Sequence, residues 1–163
     1  MYRYRFLLIP LLLVSVAILA LAAFWLLKPA NPIIAGKDFE GVVFTKENAA
    51  DLLGVAVSND RSGEAYWTPA KADIINVESQ LALYAERQAP ALAVQLPSFK
   101  RQYFGFIRDG KRLILIVGFC PLSGNRWQRE IVSLADMPYG CYFEAQYDFT
   151  SGTFLYLWQN SDR

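Results

Sequence analysis

The chain has 163 residues, of which 54% are hydrophobic, 15% aromatic and 19% charged, with a formal net charge of +1 and no histidine. So small a net charge gives no field that would attract nucleic acid, and the lack of histidine excludes Ser-His-Asp and Cys-His catalysis and histidine-ligated metals. No nucleotide-binding fingerprint occurs either. The sequence therefore predicts no catalytic residue, no metal or cofactor ligand, and no nucleic-acid or nucleotide partner.

Residues 1–28 are typical of a transmembrane anchor. Arg3 and Arg5 precede residues 6–27, which carry no charge. At 1.5 Å per residue this segment spans about 33 Å as a helix, enough to cross the hydrocarbon core of a bilayer. Trp25 lies where an interfacial indole is expected, and Lys28 closes the segment.

The charge distribution predicts a single pass through a membrane, with the N-terminus on the cytoplasmic side and the domain on the far side. A cleaved signal peptide is the alternative, because Ala20-Leu21-Ala22 matches a small-x-small cleavage site. The apolar run continues from Ala23 to Leu27, so cleavage there would leave an apolar N-terminus. We therefore favour an uncleaved anchor over a secreted protein.

Residues 29–38 contain two prolines and a glycine, which predicts an extended stalk before a domain at 39–163. Residues 39–44 favour a short strand. The next ten residues favour a two-turn helix with Thr45 as N-cap and Gly54 as C-cap. A small hairpin or irregular loop is expected around Asn59–Gly63.

The clearest helix begins near Thr68, a plausible N-cap, with Pro69 at the first helical position. Apolar residues then recur at intervals of three and four, which predicts one buried face. Pro90 is expected to end the helix. The recurring residues are Ile74, Val77, Leu81 and Tyr84.

The strongest strand signal is a hairpin in which Arg101–Arg108 pairs with Arg112–Phe119 across the dipeptide Asp109-Gly110. The second strand is apolar at every position after Arg112, which predicts a central strand covered on both faces.

Further strands are predicted over Gln128–Leu134, Cys141–Phe149 and Thr153–Asn160, the last two forming a second hairpin. One long helix followed by these strands predicts an α+β domain. The predicted domain has a four- to five-stranded antiparallel sheet packed on the one long helix.

In the predicted topology Cys120 and Cys141 lie on the oxidising side of the membrane, where a structural disulfide is expected. A simple meander through Gln128–Leu134 would instead place them roughly 20 Å apart at ~3.3 Å per residue, beyond the ~4.4–6.8 Å of bridged Cα atoms. A disulfide therefore requires that strand to lie elsewhere or the loop to double back. The alternative is two buried thiols.

Two groups of side chains in the last strands are candidates for function. Glu144 and Asp148 would stand about 13 Å apart on a strand, too far for a glycosidase pair, so we expect a solvated face. The aromatic side chains are core by default, but they could include an exposed partner-binding patch. Phe154, Tyr156 and Trp158 are expected on one sheet face by their period of two, with Leu155 and Leu157 on the other.

Three segments together resemble a group of small, secreted or membrane-anchored bacterial proteins of unassigned function. They are "YWTPAKADI…VESQLALY", "RQYFGFIRDGKRLILIVGFC" and "W…CYFEAQYDFTSGTF", within residues 66–157. The chain departs from that pattern at "LADMPYG", where an Asp-Gly-Gly-like turn is expected. The resemblance implies an envelope location and a single α+β domain, and it carries over no site residue.

The combined expectation is a membrane-anchored bacterial envelope protein that contacts the bilayer through residues 6–27. Its periplasmic domain would be a non-enzymatic module that binds another envelope protein. The alternatives are a periplasmic inhibitor or immunity-type protein and a hydrolase that uses carboxylates or a Ser/Lys pair.

Overall fold

The computed structural model describes residues 30–56 and 65–161, and the residues from Asn31 onward form one compact unit. The predicted anchor over residues 6–27 and the predicted loop around Asn59–Gly63 lie outside the described residues. Within the described ranges, no helix combines the length and the apolar character needed to cross a membrane.

The fold is α+β, as predicted, but its sheet is larger than expected and mixed rather than antiparallel. Seven strands are described, in the order β1-β2-β4-β5-β6-β7, with β3 also paired to β4. The β2–β4 pair is parallel and the other pairs are antiparallel. The strands are β1 (Ile33–Ala35), β2 (Glu40–Phe44), β3 (Ala65–Trp67), β4 (Lys100–Arg108), β5 (Lys111–Phe119), β6 (Tyr142–Asp148) and β7 (Thr153–Gln159).

The predicted hairpin is confirmed as β4 and β5, and it lies in the middle of the sheet. Asp109 and Gly110 have φ angles of 51° and 74°, the left-handed values that a two-residue hairpin turn requires. Ile114 and Ile116 are fully buried, as expected for a strand that has neighbours on both edges and cover on both faces.

The sheet begins earlier than the predicted domain start at residue 39. Residues 33–35, within the predicted stalk, form β1 and pair with residues 40–42 of β2. Ile34 is buried in the core. Burial of one isoleucine in a three-residue strand leaves no periodic pattern in the sequence, so this strand could not be recognised there.

The described residues form three α-helices beside the sheet: α1 (Lys46–Ala56), α2 (Lys71–Gln88) and α3 (Pro90–Gln95). Thr45 is the N-cap of α1, as predicted, and its hydroxyl accepts a hydrogen bond from the Asn48 N–H at 3.4 Å. The helix continues two residues beyond Gly54, the predicted C-cap.

The long helix α2 is confirmed, but its predicted cap is wrong. Ala70 is the N-cap, and its N–H donates to the Asp73 carboxylate at 2.8 Å. The Thr68 hydroxyl instead accepts a hydrogen bond from the Lys46 N–H, the first residue of α1, at 2.9 Å. This threonine therefore connects the start of α1 to the segment before α2.

Both faces of the sheet carry a core. On one face, α2 buries its apolar stripe against the central strands, and the cluster includes Ile74, Val77, Leu81, Tyr103, Ile116 and Phe143. On the other face, residues of α1 and of the loop 121–140 cover a second cluster that includes Val42, Phe44, Phe104, Phe119, Trp127 and Val132.

The strand predicted over Gln128–Leu134 is wrong. This segment lies in loop 121–140, which contains two 3₁₀ turns, Arg126–Gln128 and Leu134–Asp136. The Val132 N–H donates to the side-chain oxygen of Gln102 at 3.0 Å instead of to a neighbouring strand. Ile131 and Val132 are apolar because they pack against the sheet as loop residues. Their apolar character made the segment resemble a strand in the sequence.

Candidate functional site

A disulfide joins Cys120 and Cys141, whose Cα atoms are 4.9 Å apart. With no strand between them, β5 and β6 are neighbours, and Phe119 pairs directly with Tyr142. The two cysteines follow and precede these residues, so they lie side by side at the same end of the sheet. The disulfide therefore closes the base of loop 121–140.

A β-bulge changes the expected faces of β7. Tyr147 pairs with Phe154, but Gln146 pairs with Tyr156, so Leu155 is an extra residue in the strand. An extra residue reverses the alternation of side chains. Phe154 therefore lies on the opposite sheet face from Tyr156 and Trp158, and the predicted three-residue aromatic face is wrong.

Phe154 belongs to the face covered by α2. Its ring stacks on Tyr84 at 5.0 Å and meets the Tyr147 ring edge to face at 5.0 Å. Tyr103 and Trp127 are also buried in the two cores. These three aromatic side chains are therefore packing residues.

Tyr156 and Trp158 lie on the other face, beyond the part that loop 121–140 covers. The Trp158 side chain is 47% exposed and Tyr156 is 38% exposed. Trp158 forms one wall of an open groove of about 740 Å³, which we name the Trp158 groove. Its lining residues are Leu134, Met137, Pro138, Tyr139, Trp158, Asn160 and Ser161.

Asn160 fixes the two walls of the Trp158 groove to each other. Its side-chain oxygen accepts from the Tyr142 N–H at 2.8 Å, and its amide nitrogen donates to the Pro138 carbonyl at 3.0 Å. The Gly140 N–H donates to the Asn160 carbonyl at 2.7 Å. These hydrogen bonds hold loop 121–140, which forms the other wall of the groove (the loop wall), against the end of β7. The groove is therefore preformed.

The loop wall is also ordered internally. The Ser133 hydroxyl donates to the Asp136 carboxylate at 2.7 Å across the 3₁₀ turn. Hydrogen bonds from the side chain and backbone of Ser133 lower the pKa of Asp136. Leu134 is presented at the surface by this turn, and Tyr139, at 77% exposure, follows shortly after.

Beneath the Trp158 ring, Tyr142 provides a rigid support. The two rings meet edge to face at 6.4 Å, and the Tyr142 hydroxyl donates to Glu144 at 2.6 Å. Burial, and then the hydrogen bond to Glu144, raise the pKa of Tyr142 far above its usual value. The hydrogen bond to Glu144 and the contact with Trp158 fix the position of the Tyr142 ring.

A second groove, of about 490 Å³, opens on the α2 face of the sheet at the other end of β7. We name it the Arg87 groove, after the one charged side chain in its lining. The lining residues are Gln80, Leu83, Tyr84, Arg87, Gln88, Gly152, Thr153 and Phe154. The two grooves thus flank β7, one on each face of the sheet.

A group of interacting ionisable side chains is buried in the core and lies in neither groove. The Arg101 Nε lies 3.0 Å from a Glu78 carboxylate oxygen, and the Tyr103 hydroxyl donates to the same oxygen at 2.8 Å. Burial raises the pKa of Glu78, while Arg101 and Tyr103 oppose the shift. All three side chains are buried, so no substrate can reach them, and their role is to connect α2 to the sheet.

Gln102, between Arg101 and Tyr103, connects the sheet to loop 121–140 on the opposite face. Its amide nitrogen donates to the Trp127 and Glu130 carbonyls, each at 2.6 Å. The sequence "RQY" therefore secures α2 on one face of the sheet and loop 121–140 on the other.

The two carboxylates considered as a pair have separate roles. Glu144 accepts the hydrogen bond from Tyr142. Asp148 is buried, not solvated as expected, and it accepts the Thr150 and Ser151 N–H groups at 2.9 and 3.1 Å in the β6–β7 turn. In the described part of the chain, no three His, Cys, Asp or Glu side chains cluster in a way that could hold a metal ion.

Trp158 and Tyr156 were recognisable in the sequence as candidate binding residues, but the loop residues that form the other wall of the groove were not. Leu134, Met137 and Tyr139 carry no periodicity, and their segment overlapped or followed a wrongly predicted strand. The segment "LADMPYG" offered no spacing from which a groove wall could be recognised. Comparisons with protein-family models, with curated proteins and with solved structures find no match to this chain.

Proposed function

We propose that this chain is a non-enzymatic, protein-binding protein of the bacterial envelope, anchored in the inner membrane by residues 6–27. Its periplasmic domain binds another envelope protein through the Trp158 groove. The observation that carries the proposal is the exposed, ordered aromatic groove at the end of β7.

The composition of the groove supports binding to a protein surface. Tryptophan and tyrosine are the side chains most enriched among residues that dominate interface energetics. Trp158 and Tyr139 are both substantially exposed, and the exposed apolar side chain of Leu134 lines the same groove. No residue lining the groove carries a charge, so an apolar partner surface could bury these rings without desolvating a charged group.

The hydrogen bonds that hold the groove in place also support a binding function. Asn160 and the Ser133–Asp136 bond hold its walls, and the Cys120–Cys141 disulfide closes the loop behind them. A preformed surface loses less conformational freedom when a partner binds. The disulfide also supports a periplasmic location, because disulfides persist in oxidising compartments.

The first test separates a binding residue from a packing residue. We expect Trp158→Ala to change the free energy of unfolding by about 1 kcal/mol or less, as for an exposed site, and to weaken partner binding by about 2 kcal/mol or more. The matched variant Trp127→Ala removes a buried ring and should cost about 3–5 kcal/mol of stability. Chemical denaturation of both variants measures the difference, and equal losses would place Trp158 in the core.

The second test finds the partner in the producing cell. A photo-reactive phenylalanine analogue at position 158 should form a specific cross-linked product with an envelope protein. The same analogue at Val94, which is 84% exposed on α3, is the control. Cross-linking at neither position, or the same products at both, would contradict the proposal.

A further inference from the structure

The outer edge of β7 lacks a strand neighbour among the described residues, because β7 ends the order of the sheet. Its sequence, "TFLYLWQ", contains no charged residue and no proline. Edge strands of native proteins usually carry charges or prolines that prevent another strand from pairing with them. The part of β7 after its bulge therefore carries neither a charge nor a proline that would prevent another strand from pairing with it.

The backbone groups on this edge can be assigned from the hydrogen bonds of its neighbours. In antiparallel pairs, every second residue bonds to the neighbouring strand and the residues between them face away. The Asn160 N–H donates to the Tyr142 carbonyl at 3.0 Å, so Trp158 and Tyr156 also bond toward β6. The N–H and C=O groups of Leu157 and Gln159 consequently face outward.

The two grooves stand on opposite faces of the sheet beside this edge. The Trp158 groove lies at the end of β7 and the Arg87 groove at its start. A strand added to the edge would send successive side chains to opposite faces. Phe154 and Trp158 pair with Tyr147 and Glu144, three residues apart on β6, so side chains three residues apart on an added strand would enter the two grooves.

The charges of the two grooves differ. The Trp158 groove has an uncharged lining, whereas Arg87 is the charged residue of the other groove. The Arg87 Nε donates to the Leu83 carbonyl at 3.2 Å, and Arg87 forms no ion pair with an acidic side chain in the described ranges. A carboxylate would complement this guanidinium.

We propose that β7 binds an extended segment of the partner protein as an additional strand of the sheet. The segment is antiparallel or parallel to β7, bonds to the backbone of Leu157 and Gln159, and places an apolar side chain in the Trp158 groove. An acidic side chain three residues away contacts Arg87. This inference rests on the proposed function and specifies the chemistry of the partner: main-chain bonds give affinity, and the grooves give specificity.

The probe is a phage-displayed library of random twelve-residue linear peptides, selected on the immobilised full-length chain. We expect enriched peptides with an apolar residue and an Asp or Glu three positions apart. Selection on the Arg87→Glu variant should replace the acidic residue by Lys or Arg. Failure to enrich any peptide, or an unchanged preference on that variant, would overturn the proposal.

The backbone bond is tested with two substitutions at one position. Gln159→Pro and Gln159→Ala both lose the side-chain bond to the Gly140 carbonyl, but only the proline variant loses the outward N–H, which an edge strand tolerates. Selected peptides should bind Gln159→Pro about tenfold or more weakly than Gln159→Ala. Equal affinities would overturn strand addition.

A measurement on the peptide covers the case in which Gln159→Pro does not fold. N-methylation of successive peptide amides should abolish binding at every second position and be tolerated between them, because alternate amides face β7. Uniform tolerance would overturn the proposal. So would sedimentation showing a wild-type dimer that a folded Gln159→Pro variant, unlike Gln159→Ala, no longer forms, because the β7 edge would then pair with a second copy.

The failure of this inference is distinguishable from failure of the proposed function. Cross-linking at position 158 could be specific while the affinity of the peptides is unchanged by the Gln159 substitutions and by N-methylation. In that case the groove binds a folded surface and strand addition is wrong. If position 158 gives no specific cross-link, the proposed function itself is wrong.

Discussion

Arg101 is a charged side chain enclosed between the sheet and α2, with 1% of its surface exposed. Its terminal nitrogens donate to the Phe99 and Leu96 carbonyls, each at 3.0 Å, and Glu78 supplies the opposing charge. A buried charge is tolerable only when such partners are present. The position of Arg101 thus depends on a carboxylate from a different element of the fold.

We therefore expect Glu78→Ala to destabilise the protein by about 3–5 kcal/mol, because it leaves the guanidinium buried without its counter-charge. Tyr103→Phe is the matched change, since it removes only one hydrogen bond to the same carboxylate and should cost about 1–3 kcal/mol. Urea denaturation of the two variants measures both values. A Glu78→Ala protein as stable as the wild type would contradict this account.

Asp148 should make the stability of the protein depend on pH. Burial would raise its pKa, but hydrogen bonds from Ser151 and Thr150 and the charge of Lys111 outweigh it, so the pKa of Asp148 is lowered. A lowered folded-state pKa gives stability that is present above the unfolded-state pKa and is lost as the pH falls through the folded-state pKa.

The corresponding measurement is a series of urea midpoints between about pH 6 and about pH 2. The wild type should lose more stability over this interval than Asp148→Asn, which cannot gain or lose the proton. Parallel pH profiles for the two proteins would show that the turn does not need the ionised carboxylate.

Among the elements, the β4–β5 hairpin is the one on which both faces of the core depend. Ile116 is fully buried on β5 between β4 and β6. We expect Ile116→Asp to prevent folding, since an unpaired buried carboxylate costs several kcal/mol. Leu155→Asp places the same charge at the half-exposed bulge of β7 and should leave the fold intact. Circular dichroism and thermal unfolding distinguish the two, and a normal melt for Ile116→Asp would contradict the central position of β5.

This hairpin and α2 were predictable because local sequence determines them. Asp109-Gly110 specifies the turn, and the stripe from Ile74 to Leu81 specifies the helix face. Loop 121–140 was not predictable, because its path depends on Gln102, which lies on a strand about 25 positions earlier. The β7 bulge was also invisible, since nothing in "TFLYLWQ" marks Leu155 as the extra residue.

At the scale of the whole molecule, the sequence predicted the fold class but not the mixed sheet. Parallel pairing of β2 with β4 joins Glu40 to Lys100, and such a distant pair leaves no local signal. The same limit applied to the candidate site, in which Trp158 was recognised and its opposite wall was not. A groove formed by two segments that are distant in sequence can be recognised only once the fold shows that the two segments are neighbours.

The membrane anchor remains a prediction at this scale. Because the apolar run continues past Ala22, we expect the mature protein to retain residues 1–27 and to sediment with membranes after carbonate washing. Replacing the segment 6–27 by a cleavable signal sequence should release the domain into the periplasmic fraction. N-terminal sequencing that begins at Ala23 would contradict the anchor.

The parallel pair β2–β4 also sets the order in which a growing chain can fold. Phe44 ends β2, but its partner strand starts only at Lys100. At a synthesis rate of about 5–20 residues per second, β2 waits roughly 3–11 seconds for that partner to emerge. During this interval β1 is the described strand that can already pair with β2, and its register reaches only to Val42. Val43 and Phe44 therefore emerge several seconds before the strand beside which they lie in the folded sheet.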